Sequence, residues 1–312
     1  MQRFRTFRPH LCGLAFAAVA TLSACATNPV RSRAAALAAA DGNARAALAG
    51  ENALDVAKIP ARSFAVLPFR STAGDTILAP LRFGLPALLI SDLAVSPALR
   101  LVERLDTDAI LRELALVDSG VVDPRTAPRV GRLVGARRLL LGEVSRPTDN
   151  TIRLTTRVVD VVAGTVEELV TADAPLARVL DAEKALALLI FERLGITLTA
   201  SQRTRVEQRQ STQLAAIVAY GKGVDAEAHG DAPRAVASYR DAARLDPRFV
   251  EAIRGSLAPA AASGAGIGIE RVVGISSAAI NAPFVTRLPD TADAPLSAGT
   301  MISLTFLIRV TP

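Results

Sequence analysis

Tryptophan is absent from the chain, and cysteine, histidine, methionine and tyrosine occur only twice each. Cys12 and His10 lie in the first 24 residues, so Cys25 and His229 stand alone in the remainder. A single cysteine excludes an internal disulfide framework, and a single histidine leaves little for a histidine-based triad or a metal cluster. The fold must therefore stand on its hydrophobic core, for which half the residues qualify. Lysine is scarce too: it stands only at 58, 184 and 222, and the other basic residues are arginine. Together with the abundant alanine, this is the codon bias expected of a GC-rich genome. Acidic charge nearly balances basic, at a net +6 that falls to about +3 once Arg3, Arg5 and Arg8 are set aside, so no nucleic-acid footprint is expected.

Nor is there a long apolar run at the start. Three arginines in the first eight residues precede Leu11–Leu22, which falls short of the roughly 20 residues that span a bilayer. A basic start, a short apolar stretch and small residues make a secretory signal, expected to be removed from the mature protein. The stretch Leu22-Ser23-Ala24-Cys25 resembles the lipobox of bacterial lipoproteins, which implies cleavage before Cys25 and acylation of its sulfur. The alternative is an ordinary signal peptide that happens to hold a cysteine. Ala26, standing where an aspartate would signal inner-membrane retention, implies the outer membrane, with the folded part facing the periplasm. One acyl chain binds a membrane only marginally, whereas several anchor firmly.

Residues 25–59 then read as a lipidated tether, alanine-rich, with an Asp41-Gly42-Asn43 break and no strong apolar face. Ser63–Phe69 has the composition of a strand. A helix is expected over about 78–93, with Pro86 either kinking it or marking its start. Strand signals follow at 99–103. A helix capped by Asp106 is expected over 107–116, and another opened by Asp123-Pro124 and reaching Gly135. Three strands follow, near 138–145, 152–161 and 165–171. In the middle one, Ile152, Leu154 and Val158 alternate with Arg153, Thr155 and Arg157, the pattern of an antiparallel meander with one wet face. A helix over about 176–194 closes a unit at 60–197. The expected fold class is α/β: a two-layer α/β sandwich with a mixed sheet, its helices mostly on one face. A long helix over 202–228 and a second through Arg244 make a helical unit at 200–256. Residues 257–312 read as a flexible segment ending in a β-like run at 301–310.

Within 60–197, the blocks Ala65-Val66-Leu67-Pro68-Phe69, Leu101-Val102-Glu103-Arg104, Leu111-Arg112-Glu113-Leu114, Gly131-Arg132-Leu133-Val134-Gly135-Ala136 and Leu139–Val144 follow one another in a familiar order. The segment resembles the periplasmic α/β domain of the curli-secretion (CsgG-like) lipoproteins, flagellar outer-membrane lipoproteins and the amino-terminal domain of TolB-type proteins. Lipoprotein activators of peptidoglycan synthases share a related fold. Structural roles suffice for the blocks: Gly131 and Gly135 on one helix face would let it approach the sheet, and Glu103 could pair with Arg104. The secretion channel of that family adds two long membrane hairpins per subunit. Here the links at 145–151 and 163–164 are too short, since a membrane strand takes about 9–11 residues.

Gly223, Gly230-Asp231, Ala235, Tyr239, Ala242 and Leu245-Asp246-Pro247 are similar to a tetratricopeptide repeat, seen once where about three normally make a solenoid. The resemblance implies protein contacts involving Gly223, Tyr239 and Pro247. Gly264–Gly268 lacks the spacing of a dinucleotide loop, and Gly221-Lys222-Gly223 that of a phosphate loop.

No catalytic, cofactor-binding or metal-binding residue is expected. The expected role is that of a non-enzymatic envelope lipoprotein, a scaffold or accessory in assembly or transport of surface material. Its partners would be the membrane, through the lipid, and other envelope proteins, with a homo-oligomer as a further implication of the family. Two alternatives stand: a lipoprotein that activates a cell-wall synthase, which a long tether would suit, and a hydrolase using paired carboxylates in a cleft.

Overall fold

The computed structural model describes residues 28–72, 74–117, 122, 125–257 and 266–267. Cys25, the Asp123-Pro124 cap and the 301–310 run lie outside the described residues.

The first element departs most from expectation. Helix α1 runs unbroken over Pro29–Ala49, with Asn28 as its N-cap, accepting from the Val30 amide at 3.0 Å, and a proline in its first turn. Arg33, Leu37, Ala40, Ala44 and Ala47 are buried, a stripe at alternating spacings of four and three that matches one helical face. The Asp41-Gly42-Asn43 break does not occur. Asp41 pairs with Arg112 at 2.5 Å and Asn43 donates to Asp106 at 3.1 Å, so these turn-forming residues serve as polar contacts to the next layer. The expected tether is a docked helix.

The sheet follows. Strands β1 (Ser63–Val66), β2 (Arg70–Ser71), β3 (Arg100–Val102), β4 (Arg138–Thr148), β5 (Thr151–Asp160), β6 (Val166–Pro175) and β7 (Gly266–Ile267) lie in the order β6-β5-β4-β1-β3-β7, with β2 also on β4. The β1, β2, β3 and β7 pairings are parallel, while β4-β5-β6 is the antiparallel meander foreseen from its alternation. The glycine-rich stretch around residue 266, expected to be loop, thus supplies a two-residue edge pairing to β3.

Helices α2 (Leu78–Leu93) and α5 (Val179–Arg193) pack together, α5 lying on the face of the meander that carries Thr156 and Val158. Helices α3 (Arg104–Glu113) and α4 (Ala127–Val134) serve the opposite face: a Cβ on Gly131 would fall 2.1 Å from Val161, one residue beyond β5 and in phase with Val159. Leu139, Leu140 and Val159 are fully buried in consequence. The α/β sandwich and mixed sheet are as expected, but helices cover both faces where the sheet is parallel. Towards its tip the meander keeps a wet face, on which Arg153 and Asp173 form a paired ion bridge at 2.7–2.8 Å.

Two sequence details resolve physically. Pro86 sits inside α2 and lacks the amide that would bind the Arg82 carbonyl; the Phe69 amide takes that carbonyl at 2.8 Å. Gly135 is the left-handed C-cap of α4 (φ 68°), whereas Gly131 serves close packing against Val161.

The long helix expected at 202–228 is two, α6 (Ala200–Glu207) and α7 (Leu214–Ala228). Helices α7 and α8 (Ala232–Leu245) form the hairpin, and α9 (Val250–Ser256) packs on α8. The hairpin is fused to the α/β unit. A Cβ on Gly221 would meet the Pro80 carbonyl oxygen at 2.3 Å, and one on Gly84 would meet Gly221 Cα at 2.9 Å.

Gly42 and Gly221 give opposite expectations. Gly42 has open space around its would-be Cβ, so Gly42→Ala should raise stability by about 0.5–1 kcal/mol in thermal unfolding, the propensity gain of an ordered helix. An unchanged midpoint would mean that α1 is not helical there. Gly221→Ala, blocked by backbone, should destabilise by about 1–3 kcal/mol.

Candidate interaction site

The polar feature that joins the most elements is buried between α1, α3, α7 and α8. Glu227, on the last turn of α7, has a fully buried side chain. Arg33 of α1 lies 2.6 Å from one of its oxygens. Arg104, at the start of α3, donates to the other, and Tyr239 of α8 donates to that same oxygen at 2.8 Å. Arg104 also pairs with Asp108 one turn on, at 2.6 Å. The expected Glu103–Arg104 pairing is therefore not what Arg104 does. Arg33 additionally donates to the Gly255 carbonyl at 3.0 Å, which brings the end of α9 against the first turns of α1. Arg112 closes the set, donating to the Glu227 and Ala228 carbonyls at 3.1 and 2.7 Å, where a cation meets the negative end of α7.

Burial opposes the charge on Arg104, but Glu227 and Asp108 beside it hold its pKa well above the ordinary value. Burial pushes Asp108 up to about 6 against the pull of Arg104. Burial, and next Glu227, drive the Tyr239 phenol far above its usual range, so it stays a donor. Two guanidiniums and a phenol for one buried carboxylate are the compensation such a charge requires.

Gly223 and Tyr239 lie inside this packing. A Cβ at Gly223 would sit 2.5 Å from the Tyr239 ring, and one at Gly255 would sit 2.6 Å from it. Tyr220 stacks between Tyr239 and Phe249, at centroid distances of 5.4 and 5.0 Å. Gly223 and Tyr239 therefore build the hairpin and offer no surface to a partner, because the ring fills the space that the small residue leaves. Pro247 is exposed in the α8–α9 turn, where Asp246 accepts from Ser211 at 2.6 Å. The outer side of the hairpin keeps an open groove of about 540 Å³ lined by Val218, Lys222, Asp241, Arg244 and Leu245.

A second polar cluster escaped the sequence reading. Lys184 of α5 lies 2.5 Å from Asp92 of α2 and 3.0 Å from Glu183, and Gln210 donates to Asp92 at 3.2 Å. All three ionisable side chains are buried. One lysine cannot neutralise two carboxylates, and desolvation followed by the Asp92 charge raises the Glu183 pKa far above the usual carboxylate range. Asp92 and Glu183 are thus a carboxylate pair sealed in the core instead of opening into a cleft.

Residues 57–151 match the family model of the curli production assembly/transport component CsgG. The match runs from just before β1 to the first residue of β5, so it includes the parallel strands β1, β2 and β3 and stops short of the hairpin. Among solved structures, the LpoB C-terminal domain from Salmonella enterica is 18% identical, covering 36% of this chain and 82% of that one, with a TM-score of 0.29. The lipoprotein GNA1162 from Neisseria meningitidis is 16% identical, covering 45% of this chain and 100% of that one, with a TM-score of 0.32. No curated protein matches the chain.

Two substitutions test the clusters. Arg33→Met leaves Glu227 with half its compensation and should destabilise by about 3–5 kcal/mol in denaturant unfolding. Glu183 is the reverse case. Its raised pKa means that the folded state holds a proton that the unfolded chain releases, so its contribution falls as pH rises above the ordinary carboxylate value. Glu183→Gln should therefore raise the melting temperature at pH 8 and do so less at pH 5, each kcal/mol being worth about 2–4 °C in a domain of this size. Equal shifts at both pH values would contradict a protonated Glu183.

Proposed function

We propose that the protein is a non-enzymatic lipoprotein of the bacterial envelope, anchored through Cys25 to the outer membrane and presenting a CsgG-type domain with a fused helical hairpin to the periplasm. The docking of α1 carries the reading furthest. Only residues 26–28 separate Cys25 from Pro29, the first residue of α1. Four residue steps span at most about 14 Å. A lipid on Cys25 would therefore hold the folded body close against the membrane, with α1 as a rigid strut fixed by Arg33 and Glu227.

That geometry suits a scaffold working at the membrane surface, in assembly or transport of surface material, and Ala26 after the cysteine is the basis for the outer membrane over the inner. It removes the support that a long tether lent to a synthase activator reaching across the periplasm. Envelope proteins are the proposed partners, with the hairpin groove at Lys222 and Arg244 among the surfaces open to them. Whether copies of the chain associate is decided by mass photometry in detergent, where a ring would appear as a multiple of the monomer mass.

The decisive experiment is Cys25→Ser expressed in a diderm host with a radiolabelled fatty acid. The wild type should take up label and sediment with the outer-membrane fraction, and the variant should do neither. Persisting label, or membrane association that survives the substitution, would overturn the anchor. Three to six glycine-serine residues inserted after Asn28 should leave labelling intact and lengthen the reach of periplasmic crosslinking to the membrane.

A further inference from the structure

At the amino-terminal ends of the parallel strands the fold leaves a cavity of about 490 Å³. Register decides which side chains share it. Phe64 of β1 pairs with Arg138 of β4, and Arg62, two residues before Phe64, falls on the same face by the period of two. Arg62, Phe64 and Arg138 all line the cavity, joined by Ser96, Leu99 and Ile196. No carboxylate is among the described residues that line it. Arg62 is exposed and has no ionic partner among the described residues. Ser96 is buried to 4% exposure, and its oxygen accepts from the Ala98 amide at 3.4 Å. The Ser96 hydroxyl proton has no acceptor among the described residues, although the side chain borders an open space.

We infer that this cavity is a binding site for the carboxylate end of a peptide whose last residue is apolar. Arg62, just before β1, and the Ser96 hydroxyl, in the loop before β3, suit a planar anion, which arginine grips in bidentate fashion, while Arg138 of β4, which already has a partner, adds positive charge beside them. Phe64, Leu99 and Ile196 supply an apolar wall beside it. The carboxyl ends of α2 and α5 also border the space, at Ser96 and at Leu194–Thr197. Helix carboxyl ends present acceptor oxygens and a negative partial charge. They disfavour a bare inorganic anion and favour a ligand that brings N–H donors along with its carboxylate, as a peptide end does. The cavity also opens on the α2–α5 side of the sheet, whereas α1, with Cys25 just before it, packs on α3 at the opposite face. This placement favours a soluble ligand over a lipid headgroup, and the site itself does not depend on the anchoring of Cys25.

The test is fluorescence anisotropy on the full chain in detergent. The probe is a dansyl-labelled tetrapeptide ending in an apolar residue, with a free carboxylate or with a terminal amide. The free acid should bind at least tenfold more tightly than the amide. Arg62→Gln, at an exposed position, should weaken it at least fivefold with no change in melting temperature, and Ser96→Ala should weaken it to a smaller degree. Equal binding of acid and amide, no binding at millimolar peptide, or an unchanged affinity in Arg62→Gln would each overturn the inference. So would full displacement by equimolar inorganic phosphate, which would mean a general anion site, or by vesicles of anionic phospholipid, which would mean a lipid site.

Discussion

A carboxylate buried beyond the reach of water is among the most demanding constraints a fold can accept, and Glu227 imposes it here. Its two oxygens face Arg33 and Arg104, with Tyr239 as a third partner. With Glu227 itself these groups come from four helices, of which only α7 and α8 are neighbours in sequence. Each is ordered only if the others are in place, since any one missing leaves charge stranded in the interior. The strands pair without contacts to this cluster, within one apolar core that also takes in α1 and the hairpin. The relation between sheet, hairpin and first helix does need it. A carboxylate that accepts only a particular set of donors selects one docking geometry, which alanine packing alone would leave loosely specified.

Alanine also explains why this was hard to read. The meander was legible because Ile152 and Leu154 alternate with Arg153 and Thr155, and the burial along β5 follows that alternation. Helix α1 has alanine on every side, so no face stands out in hydropathy, although Leu37, Ala40, Ala44 and Ala47 are almost wholly buried. What distinguishes its inner face is closeness of approach, which only the partner surface reveals. Arg33 looks like solvent decoration in such a stretch. The Gly223–Tyr239 spacing was visible as that of a close helix pair, and both residues are buried in that contact. Lys184 did leave a signal. In a chain that otherwise uses arginine almost throughout, a lysine amid the apolar positions of α5 marks a place where a compact ammonium fits between two carboxylates and a forked guanidinium does not.

The same reasoning bears on the segment that matches the CsgG model. Strands β4, β5 and β6 are ten or eleven residues long, enough by length alone to cross a bilayer. Their environment argues otherwise. β4 and β5 stay paired up to Thr148 and Thr151, which leaves only Asp149 and Asn150 as the turn. Along the inner half both faces are packed under helices, and along the outer half Arg153 and Asp173 meet on a wet face that a hydrocarbon environment would penalise. The residues that a membrane hairpin would need are committed to a water-facing sheet. The sheet is left as a platform whose open end, beside Arg62 and Arg138, faces solvent.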